Sequence, residues 1–214
     1  ASQALRRAYG YDEGSSTWMN ITQMAADLEG LPKLKFIFAD CCHMASIAVA
    51  YQLRNHTEYF IGSPAEIPGR GAPYQLMMKD FFNTSATFYK NIIDTYYDFY
   101  TDPAHLNSTE KATWSYMIDG YSVPLAAINT AYLPQLADAT SELIANATGG
   151  YPQYPDSPDF KGIVYYFGLD VPAMFDMRAV MSRIAPEVFS NWDAVYRQAV
   201  PYSRMSMKWM TVFD

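Results

Sequence analysis

The chain has 214 residues, half of them hydrophobic and 16% aromatic, enough to bury the core of one domain of ordinary size. Its formal net charge of −7 excludes the basic surface that a nucleic-acid binder or a polybasic membrane binder needs. No apolar run approaches the ~20 residues of a membrane-spanning helix. The two cysteines stand side by side, where a bridge would strain the intervening peptide, so no disulfide framework is expected.

Residues 1–15 read as a polar, glycine-punctuated lead-in containing Arg6 and Arg7. Over residues 20–29 (NITQMAADLE), Ile21, Met24, Ala25 and Leu28 recur at helical spacing, and Gly30-Leu31-Pro32 ends the helix. Residues 34–39 form a short apolar run suited to a strand buried on both faces. Helical spacing returns over 44–54, residues 59–62 make the next strand, and IPGRGAPY (67–74) is a Gly/Pro loop. Helices are expected over 74–83 and 84–100, a third strand over 112–119, and one long helix over 124–145. The stretch TGGYPQYPDSPDFK (148–161) is a loop, and the remainder reads as helix rich in Met and aromatic residues. No internal repeat occurs. Strands alternating with helices predict an α/β fold with a largely parallel sheet, whose sites collect at the carboxyl ends of the strands.

One such end carries FIFADCCHMASIAVAYQLR, residues 36–54, with both cysteines placed directly before a helix. Unpaired N–H groups at a helix start favour thiolate, which fits a nucleophile; a buried structural cysteine fits the position equally well. A base is harder to find. His43 adjoins Cys42, but neighbouring side chains diverge. His56 lies beyond a helix about 20 Å long, at the wrong edge of the sheet. His105 precedes the third strand and belongs at the amino edge too. An activating imidazole is therefore expected on a polypeptide other than this one. Cys-Cys-His in one run cannot direct three ligands at one metal, so no zinc site is expected.

The blocks DCCHMA (40–45), AYQLR (50–54), EYFIGS (58–63) and EIPGRGAPY (66–74), in this order and spacing, resemble the clostripain family of cysteine peptidases. The close resemblance covers residues 36–74, and strand and helix order extends it more weakly. It implies a caspase-like α/β/α sandwich with a mostly parallel central sheet, this chain supplying the C-terminal part as a single unit over 1–214. Family members mature by cleavage into a light chain, which carries the catalytic histidine, and a heavy chain. A chain that begins at Ala1 and lacks that histidine is expected to be the heavy chain, matured by cleavage before Ala1.

By the Asp-x-Cys pattern, the resemblance assigns Cys42 as the nucleophile, with Cys41 in place of the usual alanine. It assigns Asp40 to the S1 pocket, where it pairs with Lys or Arg at P1; a cap on the following helix is the other use of an aspartate there. Ser63 and Glu66 are expected near the same pocket. Arg70 stands where relatives often carry an acidic residue, so it either enters S1 and opposes Asp40 or rests in solvent. No cofactor is implied beyond calcium, which enters by resemblance alone, since no stretch here spaces ligands as a calcium loop does.

The implied activity is an endopeptidase of a bacterial secretion or envelope compartment, acting on protein or peptide substrates after Lys or Arg. The competing reading is an inactive peptide- or glycan-binding protein on the same scaffold, using Tyr151, Tyr154 and Phe160. A redox switch between Cys41 and Cys42 is disfavoured by strain. Five Asn-x-Ser/Thr sequons, at Asn20, Asn55, Asn83, Asn107 and Asn146, are either glycan acceptors or chance occurrences.

Overall fold

The computed structural model describes residues 8–65, 67–109, 124–147, 163, 165–166, 174–205 and 212–213. The strand expected over 112–119, the loop over 148–161 with its aromatic residues, Arg6, Arg7 and Glu66 lie outside the described residues.

The expected lead-in instead contains a hairpin, β1 (Ala8–Asp12) paired antiparallel with β2 (Thr17–Asn20). The Asn20 side chain then caps α1 (Ile21–Asp27), accepting the Gln23 N–H at 2.8 Å. A strand–helix–strand unit follows as predicted: β3 (Leu34–Ala39), α2 (Ile47–Leu53) and β4 (Thr57–Gly62). Next come α3 (Tyr74–Phe81) and α4 (Phe88–Thr101).

The segment read as one helix over 124–145 divides into β5 (Leu125–Asn129), a 3₁₀ turn and α5 (Leu133–Ala145). Pro134 explains the division. In the first turn of α5 its missing N–H is harmless, whereas inside a helix begun at 124 it would break the ladder. The C-terminal part, read as helix, also contains strands. It comprises β6 (Tyr165–Tyr166), β7 (Met174–Phe175), α6 (Met177–Ile184), α7 (Phe189–Ala199), β8 (Tyr202–Arg204) and β9 (Val212–Phe213).

The main sheet has the order β3-β4-β5-β8. β3 and β4 run parallel, from Leu34 opposite Thr57 to Ala39 opposite Gly62, joined by the helical crossover that parallel strands need. The pairings β4–β5 and β5–β8 are antiparallel, so parallel character among the described strands belongs to the β3–β4 unit.

Alternation along the strands divides the interior into two cores. Ile37, Ala39, Phe60 and Ile128 face one side, with α2, α5, α6 and α7 contributing Leu53, Leu136, Val180 and Trp192. Phe36, Phe38, Ile61 and Ala127 face the other side and meet α3 and α4. On α4, Phe88, Tyr89, Ile92, Ile93, Tyr96, Phe99 and Tyr100 are buried, a broad stripe at helical spacing. The result is three layers, helix–sheet–helix.

The helical layer of α2, α5, α6 and α7 is fastened by a charged cluster. Asp193 on α7 accepts hydrogen bonds from Arg178 Nε and Nη2 on α6, at 2.6 and 3.0 Å, and from Arg197 Nε at 2.8 Å. The Arg178 hydrogen bonds, reinforced by Arg197 and opposed by burial, pull the Asp193 carboxyl down from its ordinary 3.8 to about 2. Its stabilising contribution is therefore complete above pH 4 and disappears as the pH falls through about 2. Asp193→Asn is expected to lower the Tm near neutral pH by about 2–4 °C. In melts run from pH 6 to pH 2, the gap between variant and parent should close at the acid end.

Candidate active site

The site grows out of the end of β3. Beyond Ala39 the alternation persists: Cys41 packs against the core of the α2 side, and Asp40 turns to the α3/α4 side. There Asp40 Oδ2 accepts the Ala72 N–H at 2.9 Å and the Tyr74 hydroxyl at 3.0 Å, so the carboxylate is tied to the Gly/Pro loop. It does not cap α2. That task falls to Ser46, whose Oγ accepts the Val49 N–H at 3.2 Å. Oδ1 of Asp40 is buried and has no hydrogen-bond partner among the described residues.

The loop owes its close approach to Gly71. Its φ of 75° is a left-handed conformation, and a Cβ there would stand 2.9 Å from Asp40 Oδ2. The Gly71 N–H closes a turn onto the Pro68 carbonyl at 2.9 Å, and the Tyr100 hydroxyl donates to the Gly71 carbonyl at 2.5 Å. Gly71, Tyr74 and Tyr100 were not singled out from the sequence as site residues. The usable signals were the second glycine of Gly-x-Gly and the tyrosines that recur four residues apart on α4.

Cys42 is exposed, and its Sγ accepts the Ile67 N–H at 3.4 Å. It stands in the loop before α2 and not at the helix start expected from the sequence, so this amide replaces the helix dipole as the local donor. Cys41 differs in kind. Burial first, then the charges of Asp40 and Cys42, pushes its thiol up and keeps it protonated. The loop holding Cys42 is itself pinned: His43 N–H donates to the Ala65 carbonyl at 2.9 Å and Ala45 N–H to that of Ser63 at 2.8 Å.

Ser63 is fully buried, and its hydroxyl is engaged by the backbone of Ala65 as donor (2.8 Å) and acceptor (3.1 Å). The serine expected to line the pocket therefore supports the loop from behind. Arg70, the ambiguous residue, points along the outside: Nη1 donates to the His105 carbonyl at 2.9 Å, and the guanidinium lies 4.9 Å from the Phe99 ring centroid. Asp40 makes no ion pair among the described residues.

His56 stands at the amino edge, as expected. Its carbonyl accepts the Leu34 N–H at 2.8 Å, and its Nε2 lies 3.8 Å from Glu29. His105 departs from expectation, because its contact with Arg70 places it beside the Gly/Pro loop. Its ring stacks on Phe99 at 4.9 Å, and Nδ1 lies 3.8 Å from Asp102. His43 follows Cys42 with a φ of 59°. Among the described residues no group of three or more His, Cys, Asp or Glu is arranged to hold a metal ion. Three sequon asparagines use their side chains locally: Asn20 as the cap of α1, Asn83 toward Ser85 N–H at 2.8 Å, and Asn146 toward the Glu142 carbonyl at 2.8 Å.

A family model described as the clostripain family, peptidase C11, matches residues 1–204. Comparison with curated proteins found none that matches. Among solved structures, a B. fragilis cysteine protease superposes with a TM-score of 0.70 at 26% identity, over 95% of this chain and 82% of that one. A clostripain from Bacteroides thetaiotaomicron, in complex with a peptide inhibitor, gives 0.73 at 22% identity, over 95% and 83%. A secreted C11 cysteine protease from the same organism, in complex with an irreversible peptide inhibitor, gives 0.67 at 27% identity, over 92% of this chain but 52% of that one.

The contact between Gly71 and Asp40 makes a direct prediction. Gly71→Ala adds a left-handed backbone penalty of about 1–2 kcal/mol and forces the carboxylate to move. Denaturant unfolding should register that loss. Gly69→Ala, where a Cβ meets nothing within 4 Å, should leave stability within error of the parent.

Proposed function

The chain belongs to the clostripain family of cysteine peptidases, and from that premise we propose that it cleaves peptide bonds after Lys or Arg with Cys42 as nucleophile. The base is a histidine on a light chain of the same precursor, separated from this heavy chain by proteolysis. One observation carries the reading. An exposed thiol served by a backbone N–H stands two residues from a carboxylate that is held at Oδ2 and, among the described residues, unpartnered at Oδ1.

The chemistry follows from those placements. Thiolate Sγ of Cys42 attacks the substrate carbonyl, forming an S–C bond, and the negative charge on oxygen is met by backbone N–H groups, that of Cys42 among them. The C–N bond breaks as the leaving amine takes the imidazole's proton. Water then hydrolyses the thioester and returns the thiol. Asp40 takes no part in bond making; it holds the cationic P1 head, so the scissile carbonyl is presented to Cys42. Arg70 is engaged by the His105 carbonyl and the Phe99 ring, and Asp40 makes no ion pair among the described residues, which suits a carboxylate that awaits a cationic P1 head.

Two further facts support the reading. The clostripain from Bacteroides thetaiotaomicron is in complex with BTN-VLTK-AOMK, a peptide inhibitor whose sequence ends in lysine. β3 is the outer strand of the main sheet, pairing among the described strands only with β4, so its other edge suits a strand from the light chain. Secretion is proposed by likeness to the secreted C11 protease. The alternative of an inactive binding protein would be favoured by an Arg70 paired with Asp40, and the contacts of Arg70 with His105 and Phe99 speak against that pairing.

The test is labelling of the native, unfractionated protein with peptidyl acyloxymethyl ketones bearing Lys, Arg, Glu or Leu at P1. Peptide mapping should find Cys42, and not Cys41, modified stoichiometrically by the Lys and Arg probes, with a second polypeptide co-eluting. Labelling by the Glu or Leu probe instead would refute basic specificity, and no labelling by any probe would refute the peptidase. Asp40→Asn should lower kcat/KM on basic peptides about 30-fold or more.

A further inference from the structure

Oδ1 of Asp40 and the hydroxyl of Tyr96 are both buried, and neither has a hydrogen-bond partner among the described residues. Buried polar atoms are nearly always paired, so two orphans in one neighbourhood call for an explanation. The neighbourhood is shared. The ring of Tyr96, fully buried on α4, lies 6.5 Å from Phe38, which shares a strand face with Asp40. On its other side it lies 5.1 Å from Tyr100, whose hydroxyl holds the Gly71 carbonyl, and the Gly71 backbone abuts Asp40.

Burial, reinforced by Tyr100, Asp40, Cys42 and Tyr74, pushes the Tyr96 phenol far above its ordinary value, so the group is a neutral hydroxyl. Two buried oxygens, one of a carboxylate and one of a phenol, lack donors among the described residues. A lone neutral donor satisfies one of them. A cationic group with several N–H bonds satisfies both and offsets the charge.

Resting on the reading of Asp40 as the S1 carboxylate, we propose that Tyr96 is a second specificity-determining residue of that pocket. Its hydroxyl accepts a hydrogen bond from the ammonium or guanidinium of P1 while Asp40 Oδ1 accepts another. Tyr96 thus forms the neutral half of a two-oxygen floor. The head group reaches this floor when the loop over 67–73 shifts. That loop contains two glycines and is held by Ile67 N–H on Cys42 Sγ at 3.4 Å, by Ala72 N–H on Asp40 Oδ2 at 2.9 Å and by the Tyr100 hydroxyl on the Gly71 carbonyl, and its shift exchanges the bond to Asp40 for one from the head group.

The test compares Tyr96→Phe with its parent in the active full-length peptidase, on peptides with Lys, Arg or the uncharged isostere norleucine at P1. For Lys and Arg, kcat/KM should fall about tenfold or more, mainly through KM. Norleucine turnover should hold, and the Tm should stay equal or rise, because the deleted hydroxyl has no partner to lose. Unchanged kcat/KM on the basic peptides overturns the proposal. So does an equal loss on all three, or a Tm loss that accounts for the activity loss. Asp40→Asn separates the layers. If it leaves basic preference intact, the S1 reading itself fails; if it abolishes that preference while Tyr96→Phe changes nothing, only the role of Tyr96 falls.

Discussion

From Leu34 to Ala39 the side chains of β3 leave the backbone on alternate sides, and Asp40 and Cys41 continue that alternation past the last paired residue. Everything in the site depends on this parity. Ile37 and Ala39 anchor one side and Phe36 and Phe38 the other, so a slip of one residue would expel both pairs from their cores. Full burial of a large apolar side chain contributes about 1.5–3 kcal/mol, so the register is strongly held. Asp40 is thereby delivered to the tyrosine-bearing face and Cys41 to the aliphatic one. Two adjacent cysteines acquire opposite environments, one with its thiol suppressed by burial and one open to solvent.

From residue 20 to residue 74 the chain is legible because its elements are short and locally consistent, whereas the hairpin before it is read only as lead-in. β3 obeys the apolar run, Asn20 caps α1, and the Gly/Pro block behaves as a loop. Reading failed where a local signal was passed over or where partners were distant. Pro134 was visible in the sequence and forbids a continuous helix from 124. Leu125–Asn129 becomes a strand because β4 and β8 flank it, which no five-residue window reveals. His105 was misplaced for a related reason: its position is set by Arg70, 35 residues away.

The site was legible in part. Asp40 and Cys42 follow from a motif and from strand parity. The strand-end position of Ser63 predicts a place near the pocket, but complete burial turns its hydroxyl to backbone support. The contributions of Tyr74, Gly71 and Tyr100 come from an encounter between a loop and α4 that only folding creates. Tyrosine suits that encounter, because its ring fills the core while its hydroxyl serves a polar edge.

His43, next to the nucleophile, occupies left-handed backbone space at φ 59°. Among residues with a Cβ, histidine, asparagine and aspartate tolerate that region best, and β-branched residues scarcely at all. Sequence drift at position 43 is therefore channelled by a dihedral angle and not by the reaction. Gly, Asn and Asp are open to it. Val, Ile and Thr are closed, however well their volume would suit the half-buried space, because they would pull the neighbouring thiol off its tethered loop.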